Sequence, residues 1–143
     1  MMTANASAER QMLAIAPFFF VADVIRAANY YRDILGFAID RLWGEPPCFC
    51  MPHRDGLTIM LSAVADQARI RPNGGENGES WDAYVWVRDA DALFAAFSAK
   101  GAVVVYPPID RAYYGNREFA VRDPDGYVIA FAHSIAAIQP GAD

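Results

Sequence analysis

A chain of 143 residues fits a single domain with a real hydrophobic core. Its formal charge of -5 argues against nucleic acid as a partner and makes cationic or neutral ligands easier to accept than anionic ones. Hydrophobic content of 55% with 13% aromatics is high for a soluble protein, so some apolar surface is expected to cover a ligand or a second subunit.

Residues 1–12 are polar and small and read as a flexible N-terminal arm; residues 13–143 read as one domain. The apolar run Met12 to Ala22 is not a signal-peptide core, since Glu9 precedes it and Pro17 interrupts it. No span approaches the ~20 apolar residues of a membrane helix. A soluble, cytoplasmic protein without a membrane partner is expected. Ala14 to Val21 reads as a strand and Asp23 as a helix N-cap. Val24, Ala28, Tyr31 and Leu35 then recur at helical spacing until Gly36 stops the helix. Phe37 to Trp43, Pro47 to Pro52 and Leu57 to Ser62 read as three strands separated by turn residues. Cys48 and Cys50, two apart in one strand, are poorly placed to bridge each other and read as a reduced pair.

From Ala63 to Ser80 the period is lost, and the Gly-rich stretch before Ser80 suits a mobile loop. Trp81 to Val87 is the next strand, with Asp82, Tyr84 and Trp86 on one face and Ala83, Val85 and Val87 on the other. Asp89 is a second N-cap candidate, and Ala90, Leu93, Phe94 and Phe97 form an apolar stripe ending near Gly101. Ala102 to Tyr106 reads as a strand and Pro107 to Tyr114 as a loop. Arg117 to Val121 and Tyr127 to Phe131 flank the turn residues Asp123-Pro124-Asp125-Gly126, which predicts a β-hairpin. Its face of Phe119, Val121, Ile129 and Phe131 should pack on a helix. The other face, with Glu118, Ala120, Val128 and Ala130, suits a cavity wall.

Both halves of the chain run strand, helix, three strands. Val21-Ala22-Asp23 and Val87-Arg88-Asp89 lie 66 residues apart in equivalent places. The expected fold is therefore α+β: tandem βαβββ modules, about 13–66 and 81–134, forming a curved mixed sheet around a cleft.

On YYRDILGF (Tyr30 to Phe37) and RDPDGYVIAF (Arg122 to Phe131), the sequence resembles the vicinal oxygen chelate superfamily, the glyoxalase, bleomycin-resistance and extradiol-dioxygenase group. APFFFVADV (Ala16 to Val24), RDGLTIMLSAVADQ (Arg54 to Gln67), AYVWVRD (Ala83 to Asp89) and REFAVRDPDG (Arg117 to Gly126) make it most similar to the bleomycin-resistance binding proteins. Metal enzymes of that superfamily hold a divalent ion with one side chain from each of four cup-facing strand positions. The resemblance puts Ala16, Met60, Asp82 and Ala130 there, and only Asp82 could ligate. His53 and His133 are the remaining histidines, and a site built from them with Glu118 would need non-family geometry. No metal and no cofactor is expected.

The resemblance implies a drug-binding groove lined by Asp40, Phe49, Ser62, Tyr84, Gly126 and one of Tyr113 and Tyr114. Trp86 joins Tyr84 by alternation, and Glu118 is the carboxylate expected among apolar neighbours on the cup face, where burial would raise its pKa. The reading is a non-catalytic binding protein, a homodimer that sequesters an aromatic, cationic or neutral compound. The alternative is a superfamily enzyme with an atypical or absent metal site, using Asp82 or Glu118 as acid-base group. A dimer module whose cleft its own side chains fill is the third.

Overall fold

The computed structural model describes residues 9–74 and 80–135. The first eight residues of the expected arm, most of the Gly-rich loop and the C-terminal tail lie outside the described residues.

The two predicted caps open the two helices. Asp23 Oδ1 accepts from the amides of Ile25 and Arg26 at 2.9 and 3.2 Å, and Asp89 Oδ1 accepts from Ala92 at 3.0 Å. Such side-chain oxygens satisfy amides that have no partner within the helix. Helix α1 spans Val24–Asp33 and buries Val24, Ala27, Ala28 and Tyr31; α2 spans Ala90–Ala99 and buries Ala90 and Phe97. After α1 the chain turns at Gly36, whose φ of +75° favours a residue without a Cβ. Arg54 Nη1 then donates to the Leu35 carbonyl at 2.7 Å.

One sheet contains β1 (Phe18–Val21), β2 (Leu42–Trp43), β3 (Phe49–Cys50) and β6 (Met60–Ala63) in the order β1-β6-β3-β2. A short ribbon, β4 (His53–Arg54) with β5 (Leu57–Thr58), stands apart from it. The second sheet contains β7 (Ala83–Trp86), β8 (Val103–Arg111), β9 (Asn116–Arg122) and β10 (Val128–Ser134) in the order β7-β10-β9-β8. In each sheet the first strand pairs in parallel with the last, and the other pairs are antiparallel. The repeated order is the expected duplication, and both sheets are mixed.

Several expected boundaries move. The first strand begins at Phe18, not Ala14; Pro17 has no amide to give a ladder, although its carbonyl still accepts from Met60 N at 2.9 Å. The segment from Phe37 contributes only an Ala38–His53 bridge before β2. The segment from Leu57 splits at Ile59 into β5 and β6. Residues 107–111, expected as loop, continue β8 through two register shifts. Two consecutive prolines are tolerated there because β8 is an edge strand and the shifts fall around them.

Side-chain alternation in the hairpin holds as predicted. Phe119, Val121, Ile129 and Phe131 join the core shared with α1 and α2, while Ala120, Val128 and Ala130 cluster on the opposite face with Tyr84, Val105 and Tyr106. The Asp123–Gly126 turn does more than reverse the chain, because it carries much of the junction between modules. Asp123 Oδ2 accepts from Tyr31 Oη at 2.7 Å, and Asp125 Oδ1 accepts from Ala22 N at 2.9 Å. Tyr127 stacks on Phe19 at 4.2 Å and donates to the Phe20 carbonyl at 2.6 Å. Cys48 and Cys50 are both free, and burial pushes the Cys50 thiol up to about 11. No described helix is long and apolar enough to cross a membrane.

Candidate functional site

On the outward face of the second sheet the two central strands carry small residues. Ala120 of β9 pairs with Ala130 of β10, and Glu118 pairs with Ala132. Small side chains in the middle leave room for large ones from the flanking strands, and those flanks supply Tyr84 from β7 and Tyr106 from β8. Both tyrosines lean inward onto one carboxylate.

That carboxylate is Glu118, which has no exposed surface. Its Oε1 accepts from Tyr84 Oη at 2.8 Å and from Tyr114 Oη at 2.6 Å; its Oε2 accepts from Tyr106 Oη at 2.6 Å and from Arg111 Nε at 3.3 Å. A carboxylate offers about four lone-pair sites, so Glu118 is saturated. Burial pushes its pKa up, but the bonds from Tyr106, Tyr114, Tyr84 and Arg111 outweigh burial and leave it below the ordinary value. The expected rise is therefore corrected to a fall, and Glu118 is a poor general base. The phenols respond oppositely: burial, with the Glu118 bond second, pushes Tyr84 and Tyr106 up to about 12 and raises Tyr114 as well.

A second ring of contacts fixes the first. Asn116 Nδ2 donates to Tyr84 Oη at 2.9 Å, and Trp81 Nε1 donates to Tyr106 Oη at 2.8 Å. The Arg111 guanidinium lies 5.2 Å from the centre of the Tyr106 ring. Trp81, Tyr84 and Trp86 form a row with ring centres 4.5 and 4.8 Å apart, and Tyr113 meets Tyr114 at 4.8 Å. Trp86 is 66% exposed and Tyr113 85%, so the outer rings of this wall face solvent.

Of the residues singled out in the sequence, Tyr84, Trp86, Tyr113, Tyr114 and Glu118 come together here. Phe49 and Ser62 pair with each other on the first sheet, beside Phe18 at 6.3 Å and Trp43 at 5.6 Å from the Phe49 ring. No ring contact or hydrogen bond joins Phe49 or Ser62 to Tyr84 or Glu118 among the described residues. Asp40 lies elsewhere: both its oxygens are 3.1 Å from His53 Nε2, beside a hollow of about 190 Å³. Gly126 sits in the turn at φ +95°, where an added Cβ would come within 3.2 Å of Pro72. Asp82 does not point a free carboxylate into the cup. Its oxygens accept from the amides of Asn73 and Val128, both at 2.8 Å, which pins the preceding loop to the sheet and gives Asp82 a structural role.

Sequence reasoning missed Tyr106, Arg111, Asn116 and Trp81. For Trp81 and Tyr106 the signal was present, since both belonged to predicted strands; Arg111 was hidden by the prolines that made its segment look like a loop. A larger hollow, about 830 Å³, opens on the helix side between α2 and the β4–β5 ribbon over Phe37, Val85 and Phe131. It does not reach Glu118. Volume favours that hollow, but convergent polar groups favour the tyrosine wall, and chemistry is the better guide to a specific site.

The sequence profile of the Glyoxalase/Bleomycin resistance protein/Dioxygenase superfamily matches residues 12–131. The chain belongs to this superfamily. Among solved structures similar to it is the bleomycin-binding protein of bleomycin-producing Streptomyces verticillus complexed with copper(II)-bleomycin. The two are 21% identical with a TM-score of 0.63, over 89% of this chain and 98% of that one. TnmS3, an antibiotic binding protein from Streptomyces sp. CB03234, is 22% identical with a TM-score of 0.62, over 87% and 99%. A glyoxalase-related enzyme from Clostridium phytofermentans is 14% identical with a TM-score of 0.69, over 89% and 98%. At these identities the likeness establishes the shared fold. No curated protein matches the chain.

The superfamily's divalent metal does not fit the residues present. Ala16, Met60 and Ala130 offer no oxygen or nitrogen side-chain donor, and Asp82 is committed to two backbone amides. Of the histidines, His53 faces Asp40, while His133 Nδ1 accepts from Ala90 N at 2.8 Å at the start of α2. Among the described residues no three His, Cys, Asp or Glu side chains gather as a metal site would require.

Proposed function

We propose that this superfamily member binds a planar aromatic small molecule, cationic or neutral, against the tyrosine wall and releases it unchanged. One observation carries the reading: exposed aromatic rings stand in a row above a carboxylate that four donors have fixed and saturated. Flat electron-rich rings held rigidly suit stacking, whereas an acid with every lone pair occupied suits no proton transfer. Two proteins of the same fold, one described as bleomycin-binding and one, TnmS3, as antibiotic binding, support a binding role.

A thermal-shift screen of the purified protein against aromatic antibiotics and metabolites, followed by product analysis of any hit, tests this directly. Binding without conversion is expected; consumption of the compound would favour the enzymatic alternative. For the best hit, Tyr84→Ala should weaken affinity by roughly 1 to 3 kcal/mol, the scale of an aromatic anchor. Unchanged affinity alongside a large loss of stability would make Tyr84 structural and sink this site.

The groove is proposed to be completed by a second copy of the chain. Met12, Leu13 and Ile15 are 89%, 78% and 92% exposed, and β1 and β7 are edge strands. Apolar side chains so exposed next to open edges call for a partner. Light scattering at micromolar concentration should give twice the 15.7 kDa chain mass, and a monomer would rule out a shared groove.

A further inference from the structure

We propose that Arg111 sets what the wall accepts: a neutral planar aromatic that carries a ring carbonyl, whose oxygen is taken by the Arg111 guanidinium. The inference rests on the reading of the tyrosine wall as a binding surface and names the chemistry of its ligand.

Arg111 is the last residue of β8 and pairs with Asn116 of β9. Its carbonyl accepts from the amides of Tyr114 and Gly115 at 3.3 and 2.8 Å, which fixes the backbone at the turn. Its side chain is fixed as well, since Nε donates to Glu118 Oε2 at 3.3 Å and the guanidinium lies over the Tyr106 ring. A guanidinium carries five N–H bonds in one plane. One goes to Glu118 and one more turns to Tyr106 Oη, which leaves three. No other acceptor among the described residues meets them. The Arg111 side chain is 35% exposed, whereas Glu118 has no exposed surface. The unspent hydrogens therefore sit on the terminal nitrogens, beyond the buried acid. Donors already held in direction give a ligand most, because the fold has met the cost of ordering them.

Other donors on the wall serve less well. Tyr84, Tyr106 and Tyr114 have one proton each and direct it to Glu118. Trp86 and Tyr113 each carry one hydrogen too, but on side chains 66% and 85% exposed, where water competes for it.

Charge decides between a carbonyl and a carboxylate. The guanidinium is already matched by Glu118, so a ligand carboxylate would approach a second carboxylate on a chain of net charge -5. A ring carbonyl receives the charge-assisted bond without that repulsion. Position agrees with this, because Tyr84 and Arg111 hold the two oxygens of one carboxylate. A plane of fused rings laid on Tyr84 and Trp86 brings an oxygen on its edge to the guanidinium.

Three flat probes test the inference by equilibrium dialysis near neutral pH. Fluorene and 9-fluorenone share one three-ring frame and differ by a methylene against a carbonyl; fluorene-2-carboxylate carries the charged acceptor. Fluorene is the more apolar of the first two, so burial alone would favour it. The expected result is the reverse: 9-fluorenone binds about tenfold more tightly than fluorene, the effect of one hydrogen bond from a charged donor. It should also bind more tightly than fluorene-2-carboxylate. Arg111→Met should leave fluorene binding in place and erase the advantage of 9-fluorenone. Arg111→Lys keeps the charge but loses the planar fork, and should restore only part of that advantage.

Equal binding of fluorene and 9-fluorenone, or an advantage that survives in folded Arg111→Met protein, overturns the inference and leaves the binding surface standing. Tighter binding of fluorene-2-carboxylate than of 9-fluorenone overturns the neutral class in the same way. No binding by any of the three overturns the surface itself. Should Arg111→Met fail to fold by circular dichroism, the ratio of 9-fluorenone to fluorene in Arg111→Lys decides, and an unchanged ratio there refutes the role of the fork.

Discussion

Glu118→Ala is expected to destabilise the protein by about 3 to 5 kcal/mol, because it leaves three phenols and a guanidinium without the acceptor they converge on. Urea unfolding followed by circular dichroism measures it. Glu118→Gln keeps the shape and part of the acceptor capacity, so it should cost clearly less. The acid limb of the stability curve should change as well. The Glu118 pKa is held below the ordinary carboxyl value, so its contribution is complete above that value and is lost as pH falls through the lowered one. Neither variant should show that acid-side loss. A cost under about 1 kcal/mol for Glu118→Ala would mean that the cluster is open to water, since solvated ion pairs are worth no more.

Asp123 is expected to do the opposite. It is 4% exposed, and burial pushes its carboxyl up to about 6 in spite of bonds from Tyr31 Oη and the amides of Asp125 and Tyr127. A folded pKa above the unfolded one means that the native state holds the proton more tightly. Stability is then greatest below the unfolded value and falls as pH rises toward about 6. At about 1.4 kcal/mol per pKa unit, the rise from 3.8 to about 6 makes ionisation cost roughly 3 kcal/mol. Asp123→Asn keeps an oxygen for the two amides and should flatten this slope. Asp123→Ala should cost about 2 to 4 kcal/mol, because it unpairs Tyr31 and both amides at the junction between modules. A slope between pH 4 and 6 that survives in Asp123→Asn would assign the titration to another group.

The parts of the fold legible in the sequence were those fixed by local rules. Asp23 and Asp89 each stood before an apolar period and are caps; Phe119, Val121, Ile129 and Phe131 alternated and are core. Glu118 and Tyr84 were placed on the outward face by the same alternation. Alternation gives a face and never a partner: the two amide donors of Asp82 come from Asn73 and from Val128, 46 residues away, and neither could be read from its strand. The same holds for Glu118. Its burial could be foreseen, but Tyr84 and Tyr106 reach it from strands 34 and 12 residues distant, and those bonds reverse the sign that burial alone would give. Pro107 and Pro108 hid the rest, since a rule that is right for central strands fails on an edge.

All three tryptophans lie away from the core: Trp43 beside Phe49 on the first sheet, Trp81 and Trp86 in the row with Tyr84. The intrinsic emission of the native protein is thus expected to report the sheet surfaces and not the packed core. A fluorescence melt would follow these outer faces while the packing around Phe119 and Phe131 went unseen. If the proposed ligand stacks on Trp86, the same placement would let it dim this light without any label attached.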